Sequence, residues 1–307
     1  MLHDVETMLF VPGLPRCATT AFVNVLSQHS AVEVGVQKEP HYYLPMDLKK
    51  KLFAFETKSG RVMKKAFYKL GFCYNYEEYQ ENFRNAADVL IDGSTLYSLY
   101  PESFENIKND FGDVKTCKFI FFMRGNSLKR AISHYKFSVS RGEEYRSFDD
   151  AIRTELSSGL ENWILNGYVK GGDVTEAFSR VEKLFGLENV LLVDIEKVAI
   201  FSNEFMLLVL EFLGVEEYEF DFDVYSNGSE EIANPIFKKI RVFMRVLRQI
   251  NPRFFDNSLT RFIFNGFISN VKKIEPVPVE VSEEILNVFE NVDSKNRDLY
   301  VNKGVQL

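Results

Sequence analysis

The chain opens with a short apolar run, Thr7–Val11, closed by Pro12-Gly13-Leu14-Pro15. A run of that length bounded by turn residues predicts a buried strand. Beyond Cys17 the period changes, and Ala18, Ala21, Phe22, Val25 and Leu26 recur at helical spacing. The predicted opening is therefore strand, Gly/Pro loop, helix. Further short strands are predicted at Val32–Val36 and Asp88–Ile91. Lys118–Met123 is almost unbroken apolar sequence, the pattern of a strand covered on both faces, and Val190–Asp194 repeats it. Between them lie helical patterns. One starts at Pro101 and is stopped by Gly112, and one carries Leu128, Ala131, Ile132, Tyr135 and Val139 on a single face. Another ends near Gly186, and Asn203–Leu213 is closed by Gly214.

Short strands alternating with helices predict an α/β fold, a central parallel sheet flanked by helices. No internal repeat, low-complexity tract or long linker divides the chain, so residues 1–307 read as one domain. Residues 44–88 and 220–275 fit the sheet pattern poorly. The 46% hydrophobic and 26% charged fractions are those of an ordinary globular protein, and the 29 phenylalanines are dispersed, which predicts core packing. A net charge of −7 argues against nucleic acid as a partner but leaves room for a local basic cleft. Cys17, Cys73 and Cys117 lack metal-ligand spacing, so neither a disulfide framework nor a zinc site is predicted, and the reducing cytoplasm is the expected compartment. The first residues lack a signal-peptide pattern, and no run approaches the about 18 apolar residues of a transmembrane segment. A trimmed luminal domain of a membrane-anchored enzyme stays open as the alternative.

The first loop, Gly13-Leu14-Pro15-Arg16-Cys17-Ala18-Thr19-Thr20, has the chemistry of an anion cradle. A strand–loop–helix turn aims uncommitted backbone N–H groups and the positive end of a helix at whatever fills it. Against the nucleotide-triphosphate pattern G-x-x-x-x-G-K-[ST], Ala18 replaces the second glycine and Thr19 the lysine. The cation sits earlier, at Arg16, which disfavours an ATPase or kinase. Taken alone, the loop equally fits an ordinary βα turn with Arg16 as a surface charge.

Pro12–Thr20, followed by Leu26-Ser27-Gln28-His29, resembles the 5′-phosphosulfate loop of sulfotransferases that use 3′-phosphoadenosine-5′-phosphosulfate (PAPS). Arg16 stands where that family usually has Lys, Ala18 where it has Gly, and Ser30 where Pro is common. Phe119–Arg124 with Arg130-Ala131-Ile132-Ser133-His134-Tyr135 resembles its 3′-phosphate site, although Arg124 lies one residue farther from Ser133 than usual, which predicts a bulge at Gly125 or Asn126. Lys38-Glu39-Pro40-His41-Tyr42-Tyr43 is similar to the Glu-x-His segment of heparan sulfate 3-O-sulfotransferases. Ile91–Tyr97 is similar to their Glu-Lys-Thr-Pro-x-Tyr segment, with Gly93 where those enzymes carry a functional lysine. Looser similarities are Asn166-Gly167-Tyr168, Asn189–Glu196 and a closing helix near Val281–Leu299.

The resemblance implies a P-loop-like sulfotransferase fold and transfer of a sulfuryl group from PAPS to a hydroxyl or amine, on a saccharide or another small-molecule acceptor. The product is 3′-phosphoadenosine-5′-phosphate (PAP), and no metal is involved. By the same resemblance, Glu39 is the general base with His41 orienting it, and Arg16 neutralises charge on the departing phosphate. Pro15, Arg16, Cys17, Ala18, Thr19 and Thr20 hold the 5′ end of the donor, and Arg124 and Ser133 its 3′-phosphate. Lys38, Ser94 and Tyr97 are candidates for substrate contact, and residues 44–88 and 220–275 for acceptor-side walls. The residues themselves leave plainer alternatives: Glu39 as a surface carboxylate paired with Lys38, and Tyr97 and Trp163 as core. The amphipathic stretch from Lys238 to Arg248 fits a solvated basic face or a rim for an anionic partner. A P-loop kinase or NTPase and a catalytically inactive relative remain the competing functional readings.

Overall fold

The structure, a computed structural model, describes residues 5–56, 62–64, 72–84, 87–111, 116–140, 144, 146–158, 167–222 and 279–305. Trp163, the 238–248 stretch and nearly all of 220–275 lie outside these residues. Five strands form one parallel sheet: β1 (Thr7–Phe10), β2 (Val32–Val34), β5 (Val89–Asp92), β6 (Thr116–Met123) and β7 (Val190–Asp194). Their order is β2-β5-β1-β6-β7. β3 (Ala54–Glu56) and β4 (Val62–Lys64) form a separate antiparallel pair inside the 44–88 segment. Period-2 patterning in that segment is too short to announce it.

The three inner strands are the apolar ones. β1 and β5 are buried throughout, and β6 is buried over its last five residues. This is what a sheet covered on both faces requires. Most of the described phenylalanines serve the core: Phe10 pairs in register with Phe119, and their rings stack at 5.2 Å. Phe22, on the helix α1 (Thr19–Leu26), meets Phe122 at 4.7 Å. The β7 edge does not stay open. After the last helix, here α9 (Glu283–Lys303), the Val305 amide donates to the Leu192 carbonyl, which caps an edge that would otherwise invite pairing with another chain.

The remaining helices are α2 (Met46–Phe53), α3 (Tyr76–Glu81), α4 (Ser103–Phe111), α5 (Ser127–Ser140), α6 (Phe148–Ser158), α7 (Thr175–Phe185) and α8 (Asn203–Leu213). α4 starts two residues after Pro101, because Pro101 and Glu102 form the turn that leads into it. α5, α6 and α9 enclose a second apolar cluster that includes Ala131, Tyr135, Phe148, Ile152, Ile285 and Phe289. α9 also fixes the start of α5, since Asp293 Oδ1 accepts from the Ser127 amide at 2.8 Å. A carboxylate at a helix N-terminus satisfies an orphan donor and complements the dipole.

Arg130, on α5, is fully buried. Its guanidinium donates to the carbonyl of Pro15 at 3.2 Å, of Gly167 at 3.3 Å, and of Tyr168. Burial lowers its pKa to about 10, which leaves it charged at neutral pH. One buried cation thus joins the first loop, α5 and the 167–168 turn. Replacing it orphans carbonyls that water cannot reach. Arg130→Leu is expected to lower the unfolding free energy by about 3 kcal/mol, read from urea denaturation midpoints. A change within experimental error would mean that these carbonyls find other partners.

Candidate active site

In a parallel sheet all strand C-termini face one edge, and ligands bind where successive connections leave in opposite directions. Here the chain leaves β1 toward β2 on one side and leaves β6 toward β7 on the other, so the switch falls between β1 and β6. The loop after β1 and the turn after β6 flank that point. The segments after β2 and β5 adjoin it.

The loop after β1 is held tightly. Leu14 donates to the Phe122 carbonyl at 3.1 Å, and Cys17 to the Leu14 carbonyl at 3.2 Å. Gly13 has no room for a side chain: a Cβ there would lie 2.7 Å from Thr19 Cγ2 and 3.1 Å from the Phe122 amide nitrogen. Arg16 and Ala18 both adopt positive φ, 72° and 59°. That geometry turns the chain sharply into α1, whose N-terminus has no side-chain cap, and it carries a strain cost typical of ligand-binding turns. The six predicted donor-binding residues do not contribute alike. Pro15 has no N–H, and its carbonyl binds Arg130. The Cys17 amide is committed to Leu14, and burial pushes the Cys17 thiol up to about 12, so the side chain stays neutral. The uncapped first turn around Ala18, Thr19 and Thr20 is the part able to receive an anion.

Arg16 donates from Nε to Ser133 Oγ at 3.2 Å, and its guanidinium lies over the Phe137 ring at 4.9 Å. The first loop and α5 therefore meet. Arg124, just past β6, faces Glu196 with Nε 3.6 Å from Oε1. The turn between Arg124 and α5 is pinned from below. Gly125 N–H donates to Asp194 Oδ1 at 3.1 Å, Asn126 N–H donates to Glu196 Oε2 at 3.2 Å, and Asn126 Oδ1 caps α5 through the Lys129 amide at 2.7 Å.

Glu39 lies after β2, its side chain 34% exposed. Oε1 receives Lys38 Nζ at 2.7 Å, and Oε2 receives Thr95 Oγ1 at 3.2 Å, with His41 Nε2 3.5 Å away. Burial alone would raise its pKa. The charge of Lys38, the neighbouring His41 and the hydrogen bonds from Lys38 and Thr95 outweigh burial and hold it below the usual value. His41 is pushed down to about 4, chiefly by burial, with Lys38 adding and Glu39 opposing. At neutral pH the pair is an ionised carboxylate beside a neutral imidazole, an arrangement suited to proton abstraction.

Behind this pair sits a support that the sequence did not disclose. Asp92, fully buried at the end of β5, accepts from Tyr97 Oη at 2.9 Å, Tyr79 Oη at 3.2 Å and the Ser94 amide at 3.0 Å. Burial raises its pKa to about 6 against those hydrogen bonds. Ser94 Oγ in turn accepts from the His41 amide at 2.8 Å, and Tyr97 Oη from the Tyr43 amide at 3.2 Å. Ser94 and Tyr97, expected at the substrate, are fully buried and hold the backbone of the His41 segment from behind. His41 itself sits at φ 50°, a left-handed conformation that this anchoring maintains. Arg130, Thr95, Asp92 and Asp194 lie inside motifs legible in the sequence, but no role is predicted for them there. The one available signal was Arg130, a cation beside the apolar face of α5.

No family model matches the chain, and no curated protein matches it in sequence. Among solved structures, the sulfotransferase from Alicyclobacillus acidocaldarius is similar over 76% of this chain and 90% of its own, at 21% identity and a TM-score of 0.57. The sulfotransferase domain from the curacin biosynthetic pathway aligns over 95% of this chain and 97% of its own, at 13% identity and 0.45. Mouse sulfotransferase SULT7A1, solved with PAP, aligns over 97% and 84%, at 12% identity and 0.43. The first of these similarities gives the chain the sulfotransferase fold, an α/β architecture on a parallel sheet. Chemistry at such identities has to be argued from this chain's own residues. Among the described residues, no group of three or more His, Cys, Asp or Glu converges as a metal site, and no helix is long and apolar enough to cross a membrane.

The two shifted groups behind Glu39 oppose each other in stability. Between pH 4 and pH 6.5 the unfolded chain protonates His41 while the folded chain does not, so this term raises stability as pH rises. From pH 3.8 to about 6 the folded chain keeps the Asp92 proton that the unfolded chain has lost, so this term lowers stability as pH rises. Denaturation midpoints taken across pH 4 to 6 are expected to decline more steeply with pH in His41→Asn than in wild type, and to rise relative to wild type in Asp92→Asn. Parallel profiles for all three proteins would refute these assignments.

Proposed function

We propose that the protein is a PAPS-dependent sulfotransferase acting on a hydroxyl or amine, with a saccharide as the acceptor class. What carries this reading is the contact of one loop with two blocks of different chemistry. On one side Arg16 reaches Ser133 at 3.2 Å; on the other, Lys38 lies 3.5 Å from Thr19 Oγ1 and 2.7 Å from the Glu39 carboxylate. A nucleotide carrying phosphate at both ends fits such a pair of cation-bearing sites, and the carboxylate beside one of them fits an acceptor whose proton must leave.

When bound, PAPS supplies an activated sulfuryl group on a phosphate leaving group. The first turn of α1 and Arg16 bind its 5′ end. Arg124 and Ser133 hold its 3′-phosphate, a cation and a hydroxyl suited to a dianion. Glu39 accepts the proton of the attacking acceptor oxygen, and neutral His41 orients that carboxylate. The backbone anchors through Ser94 and Tyr97 keep this pair at a fixed distance from the loop. A nucleotide kinase would need a lysine where Thr19 stands. The saccharide preference rests on the resemblance around Glu39-Pro40-His41.

Four measurements test the reading. PAP is expected to stabilise the protein against heat at concentrations where Mg-ATP does not, and the reverse order would favour a kinase. Glu39→Gln is expected to reduce turnover by about 100- to 10,000-fold with PAP affinity nearly intact; unchanged turnover would remove Glu39 from its role. Arg124→Ala is expected to weaken PAP by about 10- to 100-fold and leave AMP almost unaffected, whereas equal losses would sink the 3′-phosphate assignment. Labelled PAPS with a mixed extract then identifies the acceptor: label in the glycan fraction supports a saccharide, and label only in lipid or peptide overturns it.

A further inference from the structure

Lys38 occupies a position that its place in the chain does not announce. It directly precedes Glu39, yet its ammonium reaches back across the site. Nζ lies 2.7 Å from Glu39 Oε1, 3.4 Å from the Gly93 carbonyl and 3.5 Å from Thr19 Oγ1. One cation thus bridges the segment after β2, the segment after β5 and the first residue of α1. Its side chain is only 17% exposed, so it is not a solvated surface lysine. Its route runs over Gly93: a Cβ at residue 93 would stand 3.1 Å from Lys38 Cε and 3.2 Å from Cγ, and 3.1 Å from the Lys38 carbonyl. The Gly93 amide also donates to that carbonyl at 2.9 Å, which fixes the base of the side chain. The bare backbone at 93 is what leaves a channel for the lysine stem.

We propose that Lys38 is the cation of the transfer step, threaded through the space Gly93 leaves open, and that it acts on both partners of the reaction. This rests on the sulfotransferase reading above. Before the reaction Lys38 holds Glu39 ionised, as the charge partner that most lowers its pKa. During transfer the acceptor oxygen forms its bond to sulfur while the bond from sulfur to the bridging phosphate oxygen breaks. The acceptor proton passes to Glu39, and the electron pair of the broken bond stays on the phosphate of PAP. Lys38, standing between Glu39 and Thr19, donates a hydrogen bond to that bridging oxygen as its charge grows, and keeps its own proton. Such a donor acts most strongly where charge develops. Arg16, the cation of the first loop, directs its Nε to Ser133 on α5.

The test uses Lys38→Met, which keeps the stem over Gly93 and removes the charge, with thermal melting to verify folding. Three readouts are taken. In the protein without nucleotide, the Glu39 carboxyl followed by carbon NMR is expected to titrate at higher pH than in wild type. PAP affinity by calorimetry is expected to fall less than about tenfold, while release of PAP from labelled PAPS, with water or a glycan mixture as acceptor, falls about 100-fold or more. The double variant Lys38→Ala/Gly93→Lys returns a lysine through the same channel, since truncation at residue 38 empties the space into which a side chain from residue 93 would grow. It is expected to recover at least about a tenth of wild-type turnover. An unmoved Glu39 titration together with wild-type turnover in Lys38→Met overturns the proposal. Wild-type protein that does not bind PAP overturns instead the sulfotransferase reading and with it the transfer role, a result distinguishable from the first because no variant is needed to obtain it.

Discussion

The site depends on a charge placed where no water reaches it. Arg130 is fully buried, and the two terminal nitrogens of its guanidinium donate to backbone carbonyls from the first loop and from the 167–168 turn. An arginine in that position is tolerable only if its partners are in place, because an unpaired buried charge costs several kcal/mol. The first loop is therefore held in one shape although Arg16 and Ala18 sit in left-handed backbone conformations. Since α5 also carries Ser133 and is capped by Asp293 of α9, the same cation fixes the first loop and α5 relative to each other. The C-terminal helix, far away in sequence, is thereby part of the site's foundation.

A second buried charge organises the other half. Asp92 accepts from the Tyr79 and Tyr97 hydroxyls and the Ser94 amide, and Tyr97 Oη and Ser94 Oγ receive the Tyr43 and His41 amides. The network fixes the backbone on either side of His41 without touching Glu39 directly. Glu39 is left to respond to Lys38, Thr95 and His41, all of which bear on its carboxylate. Structural anchoring and electrostatic tuning are separated: buried oxygens set the backbone geometry, and Lys38, His41 and Thr95 keep the partly exposed carboxylate ionised.

The fold was legible because its signals are local and periodic. Lys118–Met123, Val190–Asp194 and Asn203–Leu213 declare themselves by burial pattern and by turn residues at their ends, and the structure places elements there. The β3–β4 pair was not legible, since three-residue strands carry too little periodicity. Of the candidate site, the loop at Gly13–Thr20 and the Lys38–His41 segment were visible as compact runs with unusual composition. Ser94 and Tyr97 were recognised as candidates, yet their burial assigns them to the support behind His41. Arg130 and Asp92 were passed over because their importance lies in partners 115 and 13 residues away, and no linear pattern records what a buried charge will meet.

The departures from the resembled pattern also become intelligible together. A lysine in the first loop would extend toward the departing phosphate as a point charge, whereas the planar guanidinium of Arg16 needs a surface and a fork of acceptors. It lies against Phe137 and donates to Ser133, both on α5, and so it ties the loop to that helix. On the proposed reading the transfer point then takes its cation from elsewhere, and Gly93 leaves the space in which Lys38 lies. Arg16 and Gly93, read singly, are departures from the lysines of the resembled pattern. Read in three dimensions, they belong to one rearrangement: the guanidinium turns to α5, and an ammonium enters from the β2 side to meet Glu39 and Thr19 with a single side chain.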